Sequence, residues 1–373
     1  MSSSVINLTD FLPLYRQCRQ KTGEMWQQLV AGGEDRLFQQ LHPDYSPMAW
    51  HFGHIAFTEM LWILQHLGGL RCFSERQFHQ FAADGLPKAE RGQVMTVGAL
   101  GQFLWEGHSK VIPMLQSLDA HEWRSQERLW LWLFHHECQH QETIAFLWQH
   151  AQPRAVTPPP RGSADGGERW IPPGAFMQGT LATHGSLGLD NERQAFPAAV
   201  TSGFWIVSEA VRRSPYGEFM AVGGYNDPQW WSDAGWQWRC DQGIDRPQYW
   251  DVFTDPRDPV VGVSWYEASA YAHFRGMSLP SETEWEWACL WVPELIGTVW
   301  QWTRSPFAPY PGFVPFPYAA YSQDYFDGGH YVLRGGSWVT HPKLQRKSFR
   351  NWYHPHVRQP FTGICCVRYD HGL

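Results

Sequence analysis

The densest run of chemically capable side chains is Phe134-His135-His136-Glu137-Cys138-Gln139-His140-Gln141-Glu142-Thr143. His136 and His140 are four residues apart, so on a helix both imidazoles project from one face. The rest of that face is apolar, with Leu129, Leu133, Ile144 and Leu147. His54 holds the equivalent place on another apolar stripe, made by Trp50, Phe57, Leu61 and Leu64. Three imidazoles pointing into one helical core leave polar nitrogens in need of partners, which is costly. A divalent metal supplies that partner. A hydrogen-bonded core histidine is the alternative for each residue taken alone, and it is harder to arrange for the stacked pair. His51 and His135 fall off the stripes and are expected at the surface or behind the ligands.

His136-Glu137-Cys138-Gln139-His140 also matches HExxH, the signature in which two histidines hold zinc and the glutamate serves as general base. The context fits that reading poorly. No HxxGxxH extension follows, and the third histidine lies about 80 residues upstream, an ordinary loop-mediated placement and not a local one. Three neutral histidines suit several metals, so the ligand set by itself names none. These residues alone imply a metal site in a helical bundle.

Four segments of helical period would position the ligands, at roughly 8–31, 46–67, 96–118 and 126–150, and they suggest an antiparallel bundle. Ser46 is a candidate cap for the second, with Pro47 at its first position and Gly68-Gly69 at its end. From 153 the chain turns to Pro, Gly and Ser, which reads as a linker. Beyond it, short aromatic and β-branched pieces alternate with turn residues: FMQGT, FWIVSE, PVVGVSW, YVLRGGSW and GICCVRY. Helices are expected at 265–275 and near 281–290, the latter opened by Ser281 with Glu284 three residues on. The expected organisation is a bundle over 1–152, a linker over 153–169 and an irregular α+β domain over 170–373.

Composition narrows the function classes. The chain has 373 residues, of which 43% are hydrophobic and 17% charged, enough for two folded domains. A net charge of −7 without a basic run argues against nucleic acid or an anionic membrane as partner. Seven scattered cysteines with no CxxC pair point to a reducing compartment. No signal-peptide pattern opens the chain, and no apolar run approaches membrane-spanning length. The expectation is a cytoplasmic protein with 18 His and 23 Trp, both unusually many.

These residues resemble a known family. The N-terminal part resembles DinB-like metal-binding four-helix bundles, with Gly53-His54-Ile55-Ala56 and the HxxxHxE pattern of His136, His140 and Glu142. The part from about 170 resembles the formylglycine-generating, C-type-lectin-like fold. WIPPGAFMQGT, LPSETEWEWA, GTVWQWT, VLRGGSW and SFRNWYHPHVRQPFTG carry that likeness. Together they resemble the ergothioneine and ovothiol sulfoxide synthases and their selenoneine synthase branch. The resemblance implies an oxidoreductase that uses Fe(II) and O2. It would join a thiol donor, cysteine or γ-glutamylcysteine, to imidazole C2 of hercynine or histidine, or selenium from a selenosugar to hercynine.

The resemblance maps the iron ligands to His54, His136 and His140, with Glu142 in support. It maps the proton-donating tyrosine to Tyr310, with Tyr318 and Tyr321 as alternatives. Substrate contacts map to Gln139, Asn351 and Trp352. The ring faces of Trp352 and Tyr353 suit a quaternary ammonium. Arg91 matches one of two donor-binding arginines; the second is missing from ERGQVM. Tyr353 replaces an aspartate and Val357 an arginine, so a carboxylate-rich donor is poorly served. Asn351 stands where formylglycine-generating enzymes have cysteine, which disfavours that activity. Cys365 and Cys366 are expected in the core. The stretch between LPSETEWEWACL and GTVWQW is short for the family. The rival classes are a zinc hydrolase or thiol transferase, and a non-catalytic betaine-binding protein.

Overall fold

A computed structural model describes residues 6–92, 95–153, 155–161 and 167–370. Residues 154 and 162–166 of the expected linker lie outside these, as do residues 93 and 94 of the ERGQVM stretch and the first five residues. The chain separates into two units, Met1–Ala155 with Thr183–Leu187, and Val156–Ala182 with Gly188–Leu373.

The first unit is helical. Its elements are α1 (Leu8–Ala31), α2 (Asp35–Phe38), α3 (Met48–Met60), α4 (Glu75–Phe81), α5 (Val97–Ser117) and α6 (Ala120–Ala151). Capping explains the starts. Asn7 accepts from the Asp10 amide at 2.9 Å, and Asp119 with Glu122 closes a reciprocal capping box on α6. The expected cap at Ser46 is not formed. Pro47 occupies the cap position and α3 starts at Met48. The Ser46 hydroxyl instead accepts from Arg91 at 2.9 Å.

The stripe reading of α3 is also too narrow, because every residue from Met48 to Met60 is buried. The helix has neighbours on all sides, as its nearly continuous apolar composition requires. It runs on as a π-helical segment, Leu61–Leu67, and stops at Gly68 and Gly69, the latter at φ +69°. Helix α4 has no counterpart among the expected segments; Ser74 and Gln77 box its start. The 183–187 strap joins the helical unit through Glu127, which accepts from the Gly185 amide at 3.0 Å and faces His184 at 2.7 Å.

The second unit is α+β. Its strands are β1 (Glu168–Ile171), β2 (Gly174–Gln178), β3 (Phe196–Val200), β4 (Phe204–Val207), β5 (Trp300–Pro306), β6 (Tyr331–Arg334), β7 (Arg350–Tyr353), β8 (Thr362–Gly363) and β9 (Val367–Arg368). Its helices are α7 (Arg213–Ala221), α8 (Asp233–Gln242), α9 (Trp265–Phe274) and α10 (Glu282–Ala288). Among the described residues the strands form three small sheets, of orders β1-β4-β9, β2-β3 and β7-β6-β5-β8. Both α9 and α10 begin with serine–glutamate capping boxes, Ser264 with Glu267 and Ser281 with Glu284. The PVVGVSW piece is largely buried but is no strand; its Ser264 caps α9. The core gathers Ile171, Phe204, Ile206, Trp285, Cys289, Val292, Leu295, Cys365 and Val367. The short connection after α10 is thus anchored through Val292 and Leu295, and Cys365 packs as expected.

Candidate metal centre

His54 comes from α3 and His136 and His140 from α6, and a ligand nitrogen from each lies within 4.8 Å of the others. His54 Nε2 is 3.2 Å from His136 Nε2, and His140 Nε2 is 3.1 Å from His136 Nε2. Metal–nitrogen bonds of ~2.1 Å at right angles put neighbouring ligand atoms about 3 Å apart. The observed spacings fit that. A single proton on His136 Nε2 can serve only one neighbour, whereas one cation satisfies all three lone pairs. The donor set and its spacing therefore fit a borderline divalent metal.

The surroundings set each ring. His54 Nδ1 donates to the Phe81 carbonyl at 2.6 Å, which leaves Nε2 as the lone-pair atom. His140 Nδ1 lies 2.9 Å from His51 Nδ1, so a proton on the former again turns the Nε2 lone pair inward. His54 stacks on Trp50 at 4.5 Å and His136 on Trp132 at 5.0 Å between centroids. Burial holds all three ligands neutral. It lowers His54 to about 4, and it drops His136 and His140 well below their usual range, with the neighbouring imidazoles adding to the effect. Neutral imidazole is the form that binds metal.

His51 and His135 are buried at 6% and 0% exposure, and of the two places expected for them His51 takes the one behind a ligand. His51 orients His140, and the signal for it was its place three residues before His54 on the same helix. Gly53 was quoted only as part of a motif. A Cβ there would meet the Phe81 ring at 2.1 Å. Glycine thus admits the ring whose own carbonyl fixes His54. Gly53→Ala is expected to push Phe81 away and cost roughly 10–100-fold in metal affinity, the usual range for a ligand's hydrogen-bonded support. Competition with a chromophoric chelator reads this.

Glu137, the general base of the zinc-hydrolase reading, is turned away from the histidines. Its carboxylate pairs with Arg19 Nε at 3.0 Å and accepts from Thr22. Arg19 also holds Glu59 of α3 at 3.1 Å, and Glu59 accepts from Tyr15. A carboxylate held by Arg19 and Thr22 is not presented to the histidines, which removes the case for that chemistry. The cluster does a different job: one guanidinium from α1 clips the two ligand-bearing helices together.

Gln139 is half-buried beside His140, and Glu142 is buried on α6. Arg91 is consumed within the helical unit. It donates to the carbonyls of Leu86 and Ala83 and to Ser46, and it stacks over Trp50 at 4.1 Å. A role in binding a donor carboxylate is at odds with that arrangement, because its planar fork already serves protein acceptors.

In the second unit, Asn351, Trp352 and Tyr353 are half-buried on β7, opposite Leu333, Val332 and Tyr331. Trp352 stacks on Phe307 at 4.2 Å with rings 7° apart. Asn351 Oδ1 accepts from the Trp352 amide at 2.9 Å. Tyr310 is 5% exposed; its hydroxyl accepts from Gln178 at 2.9 Å and donates to Glu282 at 3.2 Å. Burial, and then Glu282, raise its pKa, so it stays protonated. Tyr318 and Tyr321 are half-buried and Val357 is buried.

A family model described as the sulfatase-modifying factor enzyme 1-like domain matches residues 154–291 and 290–370. Similar curated proteins include the hercynine oxygenase of Mycolicibacterium thermoresistibile, 32% identical over 90% of this chain and 90% of that protein. Those of Mycolicibacterium smegmatis and Mycobacterium tuberculosis are 31% and 30% identical, each over 90% of this chain and 94% of the relative. Identity at that level, running through the helical unit as well as the sulfatase-modifying-type domain, means that the chain belongs to the hercynine oxygenase family.

Proposed function

We propose that this chain is an Fe(II)- and O2-dependent hercynine oxygenase that forms a C–S bond between a thiol donor and imidazole C2 of hercynine. In the balanced reaction a C–H, an S–H and O2 give the sulfoxide and water. The observation that carries the proposal is the convergence of His54, His136 and His140 in a chain of this family. His54, His136 and His140 would hold a ferrous ion, which would supply the chemistry of O2 activation. The chain's own residues bind and orient the substrates. Gln139 is assigned to the amine end of the substrate, Asn351 and Trp352 to a further contact, and the ring faces of Trp352 and Tyr353 to the trimethylammonium group. Proximity of donor sulfur and imidazole carbon then supplies much of the rate.

The proton needed during oxygen reduction is assigned to the Tyr310 hydroxyl, which is held protonated between Gln178 and Glu282. Tyr310→Phe is expected to keep substrate binding but to divert O2 to oxidation of the thiol alone. Product ratio by mass spectrometry checks this; an unchanged ratio would leave Tyr310 a packing residue.

A second reading concerns the donor. With Arg91 occupied by protein acceptors and Tyr353 where an aspartate is usual, γ-glutamylcysteine finds few complementary groups. Free cysteine, or an uncharged selenosugar giving a C–Se bond, suits these residues better. The deciding experiment is anaerobic loading with Fe(II), then O2 with hercynine and each of cysteine, γ-glutamylcysteine and a selenosugar. Hercynine-dependent O2 uptake with a coupled product supports the oxygenase. Stoichiometric zinc retention without O2 uptake rejects it.

A further inference from the structure

We propose a second metal site, in the C-terminal unit, formed by Asp327, His330 and His354 and suited to a borderline divalent ion such as zinc or cobalt. One carboxylate oxygen and one nitrogen from each ring lie within 4.8 Å of one another. Topology brings them together. Tyr331 of β6 pairs with Tyr353 of β7, so His330, one residue before, faces His354, one residue after, across the end of the same antiparallel ladder. The two rings stack with centroids 3.8 Å apart and planes 30° apart. Asp327 is delivered by a tight turn. Gly328 sits at φ +74°, and the Gly329 amide donates to Asp327 Oδ1 at 2.7 Å.

One donor atom from each of the three residues lies within 4.8 Å of the other two. His330 Nδ1 is 2.9 Å from Asp327 Oδ1, about the spacing expected of adjacent ligands on one ion. His354 Nδ1 is 3.2 Å from the Gly329 carbonyl, which can serve as a fourth donor. An ion there takes the place of the ring protons, which move to Nε2, so neutral rings bind without losing a proton overall. Two imidazoles and a carboxylate, with no thiolate, favour zinc, cobalt or nickel over soft ions. Asp327 is exposed, so the ion keeps room for water. The carboxylate offsets one of the two positive charges. Such an ion ties the start of β6 to the end of β7, the strand that carries Asn351, Trp352 and Tyr353. None of its ligands belongs to the helical unit, so its ligand set is distinct from the His54 triad.

The test is metal stoichiometry on the full chain by mass spectrometry after zinc or cobalt loading and desalting. The wild type is expected to hold two equivalents. Asp327→Asn and His354→Ala should each hold one, with at least a tenfold loss of affinity at the missing site. A His136→Ala/His140→Ala variant should lose the other equivalent and keep this one, with the cobalt ligand-field spectrum of two imidazoles and a carboxylate. Circular dichroism confirms that each variant is folded. One equivalent in the wild type, unaffected by His354→Ala, overturns the site. So does a triad double variant that is folded yet binds no zinc.

Discussion

His136→Ala is expected to abolish stoichiometric iron loading and, with it, turnover. His136 Nε2 is the nitrogen common to both close contacts of the trio, 3.2 Å from His54 and 3.1 Å from His140. Its loss leaves two ligands that no longer share a neighbour. The effect should exceed the roughly 10–100-fold that removal of a supporting partner costs, because a ligand itself is gone. The C-terminal unit has its own core and should keep its near-ultraviolet circular dichroism. The measurement is iron content after anaerobic loading, beside O2 uptake with hercynine and a thiol. A folded variant with full activity in chelator-treated buffer would refute the centre.

The second large effect is expected at Arg19. It is 7% exposed and is held by Glu59 at 3.1 Å and Glu137 at 3.0 Å. Arg19→Met leaves two carboxylates facing each other in the bundle without their cation. Breaking a buried ion pair from one side costs ~3–5 kcal/mol. Urea unfolding reads this directly. Metal affinity should fall as well, since α3 and α6 lose the clip between them. Replacing the whole cluster, Arg19→Met with Glu59→Gln and Glu137→Gln, should recover much of the loss, because no bare charge then remains. A single Arg19→Met change within ~0.5 kcal/mol of wild type would show that the cluster does not hold the helices.

Glu59 gives that cluster a pH signature. Burial raises its carboxyl to about 7, with Glu137 pushing the same way and Arg19 and Tyr15 opposing. The folded state therefore holds the proton more tightly than the unfolded chain does. Stability from this group is fully present below the ordinary carboxyl range near 4.5 and is lost as pH rises through about 7. Glu59→Gln removes that slope. It should be a mild change near neutrality, where the carboxyl is close to half protonated. Urea midpoints at pH 5 and pH 8 should converge in the variant.

Local spacing and residue chemistry were enough to read several features of this chain. Four-residue spacing placed His136 and His140 on one helix face, and the apolar company of His54 pointed it into the same interior. The Ser281 and Glu284 pair marked the start of α10, and Gly68-Gly69 marked the end of the long second helix. Motif resemblance placed a sulfatase-modifying-type domain after the bundle.

Contacts between side chains distant in sequence became legible in the fold. Helical period treats each element as having one buried face. It could not show that α3 is enclosed on every side, nor that His140 is the ligand behind which His51 stands. No local rule connects Gly53 to Phe81, far along the chain, although that close approach orients His54. Arg91 and Glu137 each carried a motif role on the strength of residue type. Both are engaged elsewhere by partners that the fold brings in, Ser46 and backbone carbonyls for one and Arg19 with Thr22 for the other. A buried charge takes the partner that packing supplies, and packing is decided by the whole chain at once.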